Sequence, residues 1–177
     1  MENTIFELTR KWLISHIHTN IIETDPQIQF YIHYIKYICD TNILGQINDI
    51  ISTTAACVYM LCKHKGKEIP KIKISDISAY YRVDEESILC NYRLVSTFIK
   101  DFYKKYACKI TYKNITMYVL CDTSIQKLMD TYNKNGYICL LKHKDTGIVA
   151  LKLEQGSEYT IKYKKLDKNR KYIKLHN

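Results

Sequence analysis

The sequence contains little proline, glycine or tryptophan and no long apolar run. Its 177 residues include two prolines, five glycines and one tryptophan. Because no stretch of about 18 apolar residues occurs, no membrane-spanning helix is predicted. The first residues, "MENTIFELTRKW", do not have the basic-then-apolar order of a secretory signal peptide. With 46% hydrophobic residues, the chain can form one cored domain, or one domain and a small appendage, in an intracellular protein with no membrane contact.

Motifs for catalysis and for metal binding are also missing. No phosphate-binding GxxxxGK[ST] loop, GxGxxG, HExxH or GxSxG occurs. His16 and His18 stand two residues apart, which places them on different faces of a helix and does not suit joint metal ligation. We therefore predict no catalytic residue, no metal and no cofactor, and a protein that is not an enzyme. The seven cysteines form no CxxC pair and are interpreted as reduced core residues: Cys39, Cys57, Cys62, Cys90, Cys108, Cys121 and Cys139.

Positive charge is concentrated in the last part of the chain. Residues 1–106 contain 13 Lys and Arg against 12 Asp and Glu, whereas residues 107–177 contain 14 against 6, a net charge of +8. A basic segment of this kind attracts an anionic polymer, for which nucleic acid is a better candidate than a membrane surface in this chain. Solubility alone is the alternative explanation of this charge.

Apolar residues recur at helical spacing through residues 1–106. Thr4 and Glu7 have the spacing of a capping box, and Asp25 followed by Pro26 is typical of a helix start. The third helix is apolar or small nearly all round, as expected for a helix surrounded by its neighbours. The last two helices and the turn around Arg82 form a helix-turn-helix at 74–104. Gly66 and Pro70 end the third helix. Five helices are predicted in all, over residues 4–19, 25–40, 48–64, 74–81 and 85–104.

After Lys105 the hydrophobic period changes from about 3.6 to about two. Four segments are strand-like: "KITYKNITMYVL", "GYICLLKHK", "GIVALKLE" and "EYTIKYKKL". "KDTG" is a predicted hairpin turn, and "TSIQKLMDTYNKN" a short helix with Thr123 or Ser124 as N-cap. The end, "KKLDKNRKYIKLHN", is either an edge strand or a mobile tail. The predicted fold class is α+β, with a helical domain over 1–106 and a small basic α+β module over 107–177.

Two stretches resemble the core repeats of the transcription factor IIB family. They are "AACVYMLCKHKG" at 55–66 and "SDISAYYRVDEESILCNYRLV" at 75–95. The resemblance implies that residues 1–106 form a single five-helix cyclin-like repeat that docks on RNA polymerase or on a promoter-bound transcription factor. The resemblance is to a divergent member of the family, such as a large DNA virus encodes, and it implies a protein that acts in the nucleus or cytoplasm of the host cell. The matching positions in the second stretch are Ile77, Val83, Ser87, Ile88 and Tyr92.

The chain departs from that family in ways that bear on DNA binding. Arg82 occupies a turn position where family members usually have Gly, and a non-Gly residue there has to adopt an unfavourable backbone or shift the turn. Leu89 and Asn91 stand where the family often has basic residues. The last helix begins with "DEES", whose carboxylates suit the helix dipole but oppose phosphates. Neither the zinc ribbon nor the second helical repeat of the full general factor is recognisable.

The candidate nucleic-acid residues therefore lie mainly after the helix-turn-helix. We interpret that motif as a structural corner of the bundle rather than a base reader. If it contacts DNA, the side chains able to reach bases or phosphates are Asn91, Arg93, Lys100 and Lys104. Lys105 leads into the basic module, where the candidates are Lys142, Lys144, Lys162, Lys164, Lys165, Lys168, Arg170 and Lys171. They alternate with Tyr159, Tyr163 and Tyr172, which suits phosphate contact combined with base stacking. The alternative is an ordinary strand with lysines outward and tyrosines inward.

Two functions follow. The first is a non-catalytic transcription initiation protein, whose helical domain docks on its protein partner and whose basic module contacts double-stranded DNA. The second is a cyclin-like regulatory protein that binds a kinase or another protein and has no nucleic-acid role. An acidic interface around Glu85 and Glu86, beside exposed apolar residues, is expected for the second.

Overall fold

The computed structural model describes residues 2–45, 47, 49–64 and 71–165. These residues are mixed α+β, and the chain divides into two compact units between Phe102 and Tyr103. The predicted boundary, between residues 106 and 107, lies at the end of the helix in which this division falls. No helix among the described residues is long and apolar enough to cross a membrane. The elements are α1 Glu2–His16, α2 Thr19–Thr24, α3 Pro26–Asp40, α4 Ile50–Lys63, α5 Ile74–Tyr81, α6 Glu85–Ser96, α7 Ile99–Tyr106, β1 Ala107–Tyr112, β2 Ile115–Leu120, α8 Ile125–Thr131, β3 Tyr137–His143 and β4 Glu158–Lys165.

The first predicted helix, over residues 4–19, corresponds to α1, and the short helix α2 that follows it was not predicted. The chain is extended at His18, whose imidazole Nδ1 accepts a hydrogen bond from the Asn20 backbone N–H at 3.2 Å and so caps α2. The capping box at Thr4 is wrong, because α1 already begins at Glu2. The start of α3 is as predicted, since the Asp25 carboxylate accepts the Gln27 N–H at 2.9 Å directly before Pro26.

The core of the helical unit, residues up to 102, is mainly aliphatic, contains a group of aromatic rings and centres on α3 and α4. Ten of the residues of α4 are buried, which confirms the prediction of a surrounded helix. Phe30 is fully buried and packs edge-on against Phe102, with 5.4 Å between ring centroids. The Tyr34 hydroxyl donates to the Val95 carbonyl, which ties α3 to α6. Burial of such rings contributes a large share of a small core's stability.

The helix predicted over residues 85–104 is divided into two helices, α6 and α7. The hydroxyls of Ser96 and Thr97 donate to the carbonyls of Tyr92 at 2.7 Å and Arg93 at 3.0 Å. Side-chain bonds of this kind compete with regular helical bonding and favour a bend. The bend separates Lys100 and Lys104, both on α7, from Arg93 on α6.

The turn between α5 and α6 contains a residue with a strained backbone, Arg82. Arg82 has φ 56° and ψ 45°, so of the two alternatives given above, an unfavourable backbone or a shifted turn, the unfavourable left-handed backbone is found. Ser78 fixes this turn, since its carbonyl accepts the Val83 N–H at 3.2 Å and its hydroxyl donates to the Val83 carbonyl at 2.5 Å. The chain therefore keeps the turn geometry and tolerates the strain.

Replacing Arg82 by Gly should stabilise the helical unit by roughly 0.5–1 kcal/mol. Glycine removes the cost of a left-handed non-Gly residue, about 1–2 kcal/mol, and loses part of this gain to the greater entropy of the unfolded chain. Denaturant unfolding followed by the fluorescence of Trp12, the single tryptophan, measures the change. Arg82→Ala is the control, because it removes the same side chain without relieving the backbone. Equal stability of the two variants would contradict a strained turn.

The sheet unit, residues from 103 onward, contains a four-stranded sheet in the order β2-β1-β4-β3. β1 pairs antiparallel with β2 and parallel with β4, and β3 pairs antiparallel with β4. "KITYKNITMYVL" is a hairpin rather than one strand, and it turns at Lys113 with φ 54°. "KDTG" is a turn as predicted, closed by a bond of 2.8 Å from the Gly147 N–H to the His143 carbonyl. The strand predicted at "GIVALKLE" is wrong, since that segment forms one isolated bridge, from Val149 to Lys142.

One face of this sheet holds the core of the unit. The short helix α8 begins after Ser124, as predicted, and its Leu128 is fully buried against this face. On this face the buried side chains of the four strands are Cys108, Ile110, Met117, Val119, Cys139, Leu141, Tyr159 and Ile161. Because side chains alternate along a strand, the intervening residues lie on the opposite face.

Candidate nucleic-acid interface

The opposite face carries three of the basic residues predicted for nucleic-acid contact, Lys142, Lys162 and Lys164. Register places Lys109 beside Glu158, Lys142 beside Thr160, and Leu140 beside Lys162. Lys162 and Lys164 are exposed, and Lys109 and Lys142 are half-buried. We call the polar side chains of this surface the lysine face: Lys109, Thr111, Thr116, Lys142, Glu158, Thr160, Lys162 and Lys164. Alternation places buried or half-buried apolar and aromatic residues on the same side of the sheet: Ala107, Tyr118, Leu120, Ile138 and Leu140.

A row of hydroxyl groups crosses the lysine face between the lysines. Thr116, Thr111, Thr160 and Lys142 are successive partners across all four strands. Neighbouring strands lie about 4.8 Å apart, so these side chains form a continuous polar row. Threonine hydroxyls and lysine ammonium groups are both used to contact phosphate oxygens in nucleic acids.

One carboxylate interrupts this surface and holds two of its cations. Glu158 Oε2 lies 3.1 Å from Lys144 Nζ, and Glu158 Oε1 lies 3.8 Å from Lys109 Nζ. The bond from Lys144 keeps the pKa of Glu158 below its usual value. Lys109 is further confined by the ring of Tyr103, 4.9 Å from its Nζ to the centroid. Within the described residues, Lys142, Lys162 and Lys164 form no such ion pair.

Replacing Glu158 by Gln should raise the affinity for duplex DNA by about three- to tenfold at moderate salt. Two lysines lose their internal partner and become available to phosphates, and the slope of log affinity against log salt should steepen by up to about 0.9 for each additional phosphate that a lysine neutralises. Fluorescence anisotropy over a salt series measures both effects. Glu154→Gln, which removes an exposed carboxylate outside the lysine face, is the matched control. Equal increases in affinity in the two variants would mean that net charge alone sets the affinity.

The tyrosines predicted to stack on bases point the other way. Tyr159 is only 2% exposed and lies in the core, where its hydroxyl accepts the Glu154 N–H at 2.9 Å. Tyr163 lies on the same side and donates to the Tyr132 carbonyl at 2.6 Å. Interleaved stacking along β4 is therefore wrong, and the alternative of outward lysines with inward tyrosines describes this strand. Tyr172 is outside the described residues.

The other residues predicted to contact nucleic acid lie on several different elements. Asn91 is half-buried on the side of α6 that meets α4, and its amide donates to the Ser87 carbonyl at 2.9 Å and lies 3.4 Å from the Thr53 hydroxyl. Lys165 is exposed at the end of β4 on the α8 side of the sheet. Arg93, Lys100, Lys104 and Lys105 are exposed on α6 and α7. Lys168, Arg170 and Lys171 lie outside the described residues, as do Gly66, Pro70 and the last part of the chain.

The beginning of α6 is acidic and exposed. Asp84 caps the helix by accepting the Ser87 N–H at 2.8 Å, and this bond lowers the pKa of the Asp84 carboxyl. Glu85 and Glu86 follow in the first turn and are both exposed. These three carboxylates interact favourably with the positive end of the helix dipole and repel phosphate groups.

Most of the cysteines are buried, and His64 is half-buried. Five cysteines are buried, Cys121 is half-buried, and Cys90 is exposed, so the expectation of core cysteines is wrong for Cys90. His64 is stacked on Tyr31 with 4.6 Å between centroids, and burial lowers its pKa to about 4. In the described ranges, no group of three or more His, Cys, Asp or Glu has metal-binding geometry.

Sequence reasoning missed three lysines that the fold brings to the sheet. Lys109 lies on the lysine face, whereas Lys113 and Lys134 lie at the end of the sheet beside Tyr112. The period-two pattern of "KITYKNITMYVL" already placed Lys109 opposite the apolar positions of its strand. The position of Lys134 depends on the loop after α8, for which the sequence has no signal.

Comparison with known proteins finds no family model, no curated protein and no solved structure that matches this chain.

Proposed function

We propose that this chain is a non-catalytic transcription initiation protein, similar in organisation to transcription factor IIB, that holds nucleic acid on its sheet unit. The observation that carries the proposal is the lysine face. It combines exposed cations, a cross-strand row of hydroxyls and a single carboxylate that already has two lysine partners. This composition is that of a surface for the phosphate backbone, which supplies most of the affinity in protein–DNA complexes.

In this proposal the helical unit is a single cyclin-like repeat that docks on RNA polymerase or on a promoter-bound transcription factor. The acidic start of α6 argues against insertion of that helix into the major groove of DNA. Asn91 is half-buried and is therefore unsuited to base contact. Exposed apolar side chains on the same unit, among them Leu94 and Tyr80, are available to a protein partner. The helix-turn-helix is then a structural corner of the docking unit.

Binding of a mixed-sequence duplex over a salt series tests the nucleic-acid part of the proposal. The full chain should bind with a steep negative slope equivalent to several phosphate contacts, each contributing about 0.9 to the slope. The variant Arg93→Gln/Lys100→Gln should keep most of this slope. Loss of binding in that variant would instead assign DNA reading to α6 and α7. Absence of binding by the full chain at low salt would reject a DNA-contacting role.

A second candidate is the cyclin-like regulatory protein, which is favoured by a groove in the helical unit. The groove has a volume of about 330 Å³ and lies between α1, α2 and α3. Apolar side chains, including Leu13, Ile22 and Ile35, line it together with the exposed cations of Arg10 and Lys36. It suits an apolar segment of a protein partner that carries acidic residues. Binding of an acidic amphipathic peptide, with no binding of duplex DNA, would support this function over the first.

A further inference from the structure

Four side chains meet at the end of the sheet where β1 turns into β2 and β4 ends. Lys134, from the loop after α8, lies between two rings, with its Nζ 4.4 Å from the Tyr163 centroid and 5.2 Å from the Tyr112 centroid. Lys113, in the hairpin turn, has its Nζ 5.4 Å from the Tyr112 centroid. We call Tyr112, Lys113, Lys134 and Tyr163 the lysine–tyrosine cluster.

No carboxylate compensates the charge of this cluster in the described part of the chain. The ion pairs found there involve Glu158, which lies at the opposite end of β4. Lys164 and Lys165 are exposed where β4 ends, so further positive charge accumulates beside the cluster. Ring faces hold a cation by about 0.5–1 kcal/mol at exposed sites, which positions the ammonium group without neutralising it.

The ammonium group of Lys134 is the hydrogen-bond donor that the cluster offers to an anion. Lys134 Nζ donates to the Tyr112 hydroxyl oxygen at 2.5 Å, and an ammonium group has two further protons. The Tyr112 hydroxyl also interacts with the Tyr163 hydroxyl, and its bond with Lys134 lowers its pKa. Tyr112 therefore positions Lys134, whose remaining protons are the donors for a ligand.

The cluster is also held in place before any ligand arrives. The Tyr163 hydroxyl donates to the Tyr132 carbonyl at 2.6 Å, which fixes the ring that supports Lys134. The rings of Tyr112 and Tyr163 pack edge to face, with 5.5 Å between centroids. A preorganised donor loses less conformational entropy on binding than a free lysine side chain does.

We infer that the lysine–tyrosine cluster is a phosphate-binding site that receives a phosphodiester group of the nucleic-acid strand lying along the lysine face. This inference rests on the proposed function. Lys164 ends β4 on the lysine face, whereas Tyr112 and Tyr163 lie on the α8 side of the sheet, so a nucleic-acid strand reaches the cluster by passing round the end of the sheet, where Lys113 and Lys165 also lie. The chemistry recognised is a phosphate oxygen, which free inorganic phosphate also offers.

The test compares duplex binding by the full chain, by Lys134→Gln and by Tyr112→Phe over a salt series. Lys134→Gln should weaken binding about three- to tenfold and reduce the salt slope by about 0.9, the value of one phosphate contact. Tyr112→Phe, which keeps the ring and the charge, should weaken binding without changing the slope. Lys152→Gln removes an exposed lysine of the β3–β4 loop and is the matched control for charge.

The outcomes separate this inference from the proposed function. If the wild-type chain does not bind duplex, the proposed function fails. If it binds and Lys134→Gln has the same affinity and slope as Lys152→Gln, the function stands and the cluster is not a phosphate site. The ring resonances of Tyr112 and Tyr163 provide the second readout. Shifts caused by the duplex support the inference, whereas shifts caused by inorganic phosphate and not by duplex would overturn the nucleic-acid assignment.

Discussion

Replacing Lys142, Lys162 and Lys164 together by Gln should reduce the affinity for a mixed-sequence duplex about 10- to 100-fold near physiological salt. These three lysines of the lysine face have no ion-pair partner within the described residues, so their charges are available to phosphates. Removal of three phosphate contacts should lower the slope of log affinity against log salt by about 2.7. Fluorescence anisotropy at several salt concentrations measures both quantities. The sheet should remain intact, because all three side chains lie on the face opposite its core.

A matched triple variant separates the position of the charge from its amount. Lys11, Lys36 and Lys71 are exposed and lie in the helical unit, so Lys11→Gln/Lys36→Gln/Lys71→Gln gives the same change in net charge. We expect this variant to bind with nearly the wild-type slope. If both triple variants lose affinity equally, the chain attracts nucleic acid by its total charge and the lysine face has no special role.

Replacing Leu128 by Ala should destabilise the sheet unit by about 2–5 kcal/mol. Leu128 is fully buried and is the residue through which α8 enters the core of the sheet unit, so truncation leaves a cavity under the sheet. Urea unfolding followed by the amide resonances of β1 and β4 should show the loss. Trp12 fluorescence, which reports on the helical unit, should keep its midpoint.

Gln126→Ala is the control for that variant. Gln126 is exposed on α8 and donates a hydrogen bond to Asp130 at 2.8 Å, a contact that contributes little at the surface. We expect a change within about 0.5 kcal/mol. A similar loss in both variants would mean that α8 is held by its surface contacts rather than by Leu128.

The fold was predictable where local signals are strong. Asp25 and Pro26 predict the start of α3, and Ser124 predicts the start of α8. The apolar or small residues all round α4 predict that this helix is buried. The helix α2 and the break at Thr97 were missed, because each depends on a side chain bonding to nearby backbone, His18 capping α2 and Ser96 and Thr97 bonding within the last turn of α6. The segment "GIVALKLE" has strand-like alternation but forms a single bridge, so pattern alone did not decide its pairing.

The candidate site was predictable only in part, since it depends on which strands are neighbours. Alternation along β4 separates Lys162 and Lys164 from Tyr159 and Tyr163, and the apolar partners of those tyrosines decide which set faces outward. The contact between Lys109 and Glu158 requires the parallel pairing of β1 with β4, which no local pattern encodes. The same pairing brings Lys113 to the end of β4, whereas Lys134 reaches it through its bridge to Tyr137 and the pairing of β3 with β4.

The most direct test of the proposed function is the map of amide resonances perturbed when the full chain is titrated with a mixed-sequence duplex. If the lysine face binds the duplex, the largest shifts should lie on β1, β3 and β4, at Thr111, Lys142, Thr160, Lys162 and Lys164, with the first turn of α6 unchanged. Shifts concentrated at Glu85, Glu86 and Arg93, with the sheet resonances unmoved, would contradict it and return DNA contact to the helix-turn-helix.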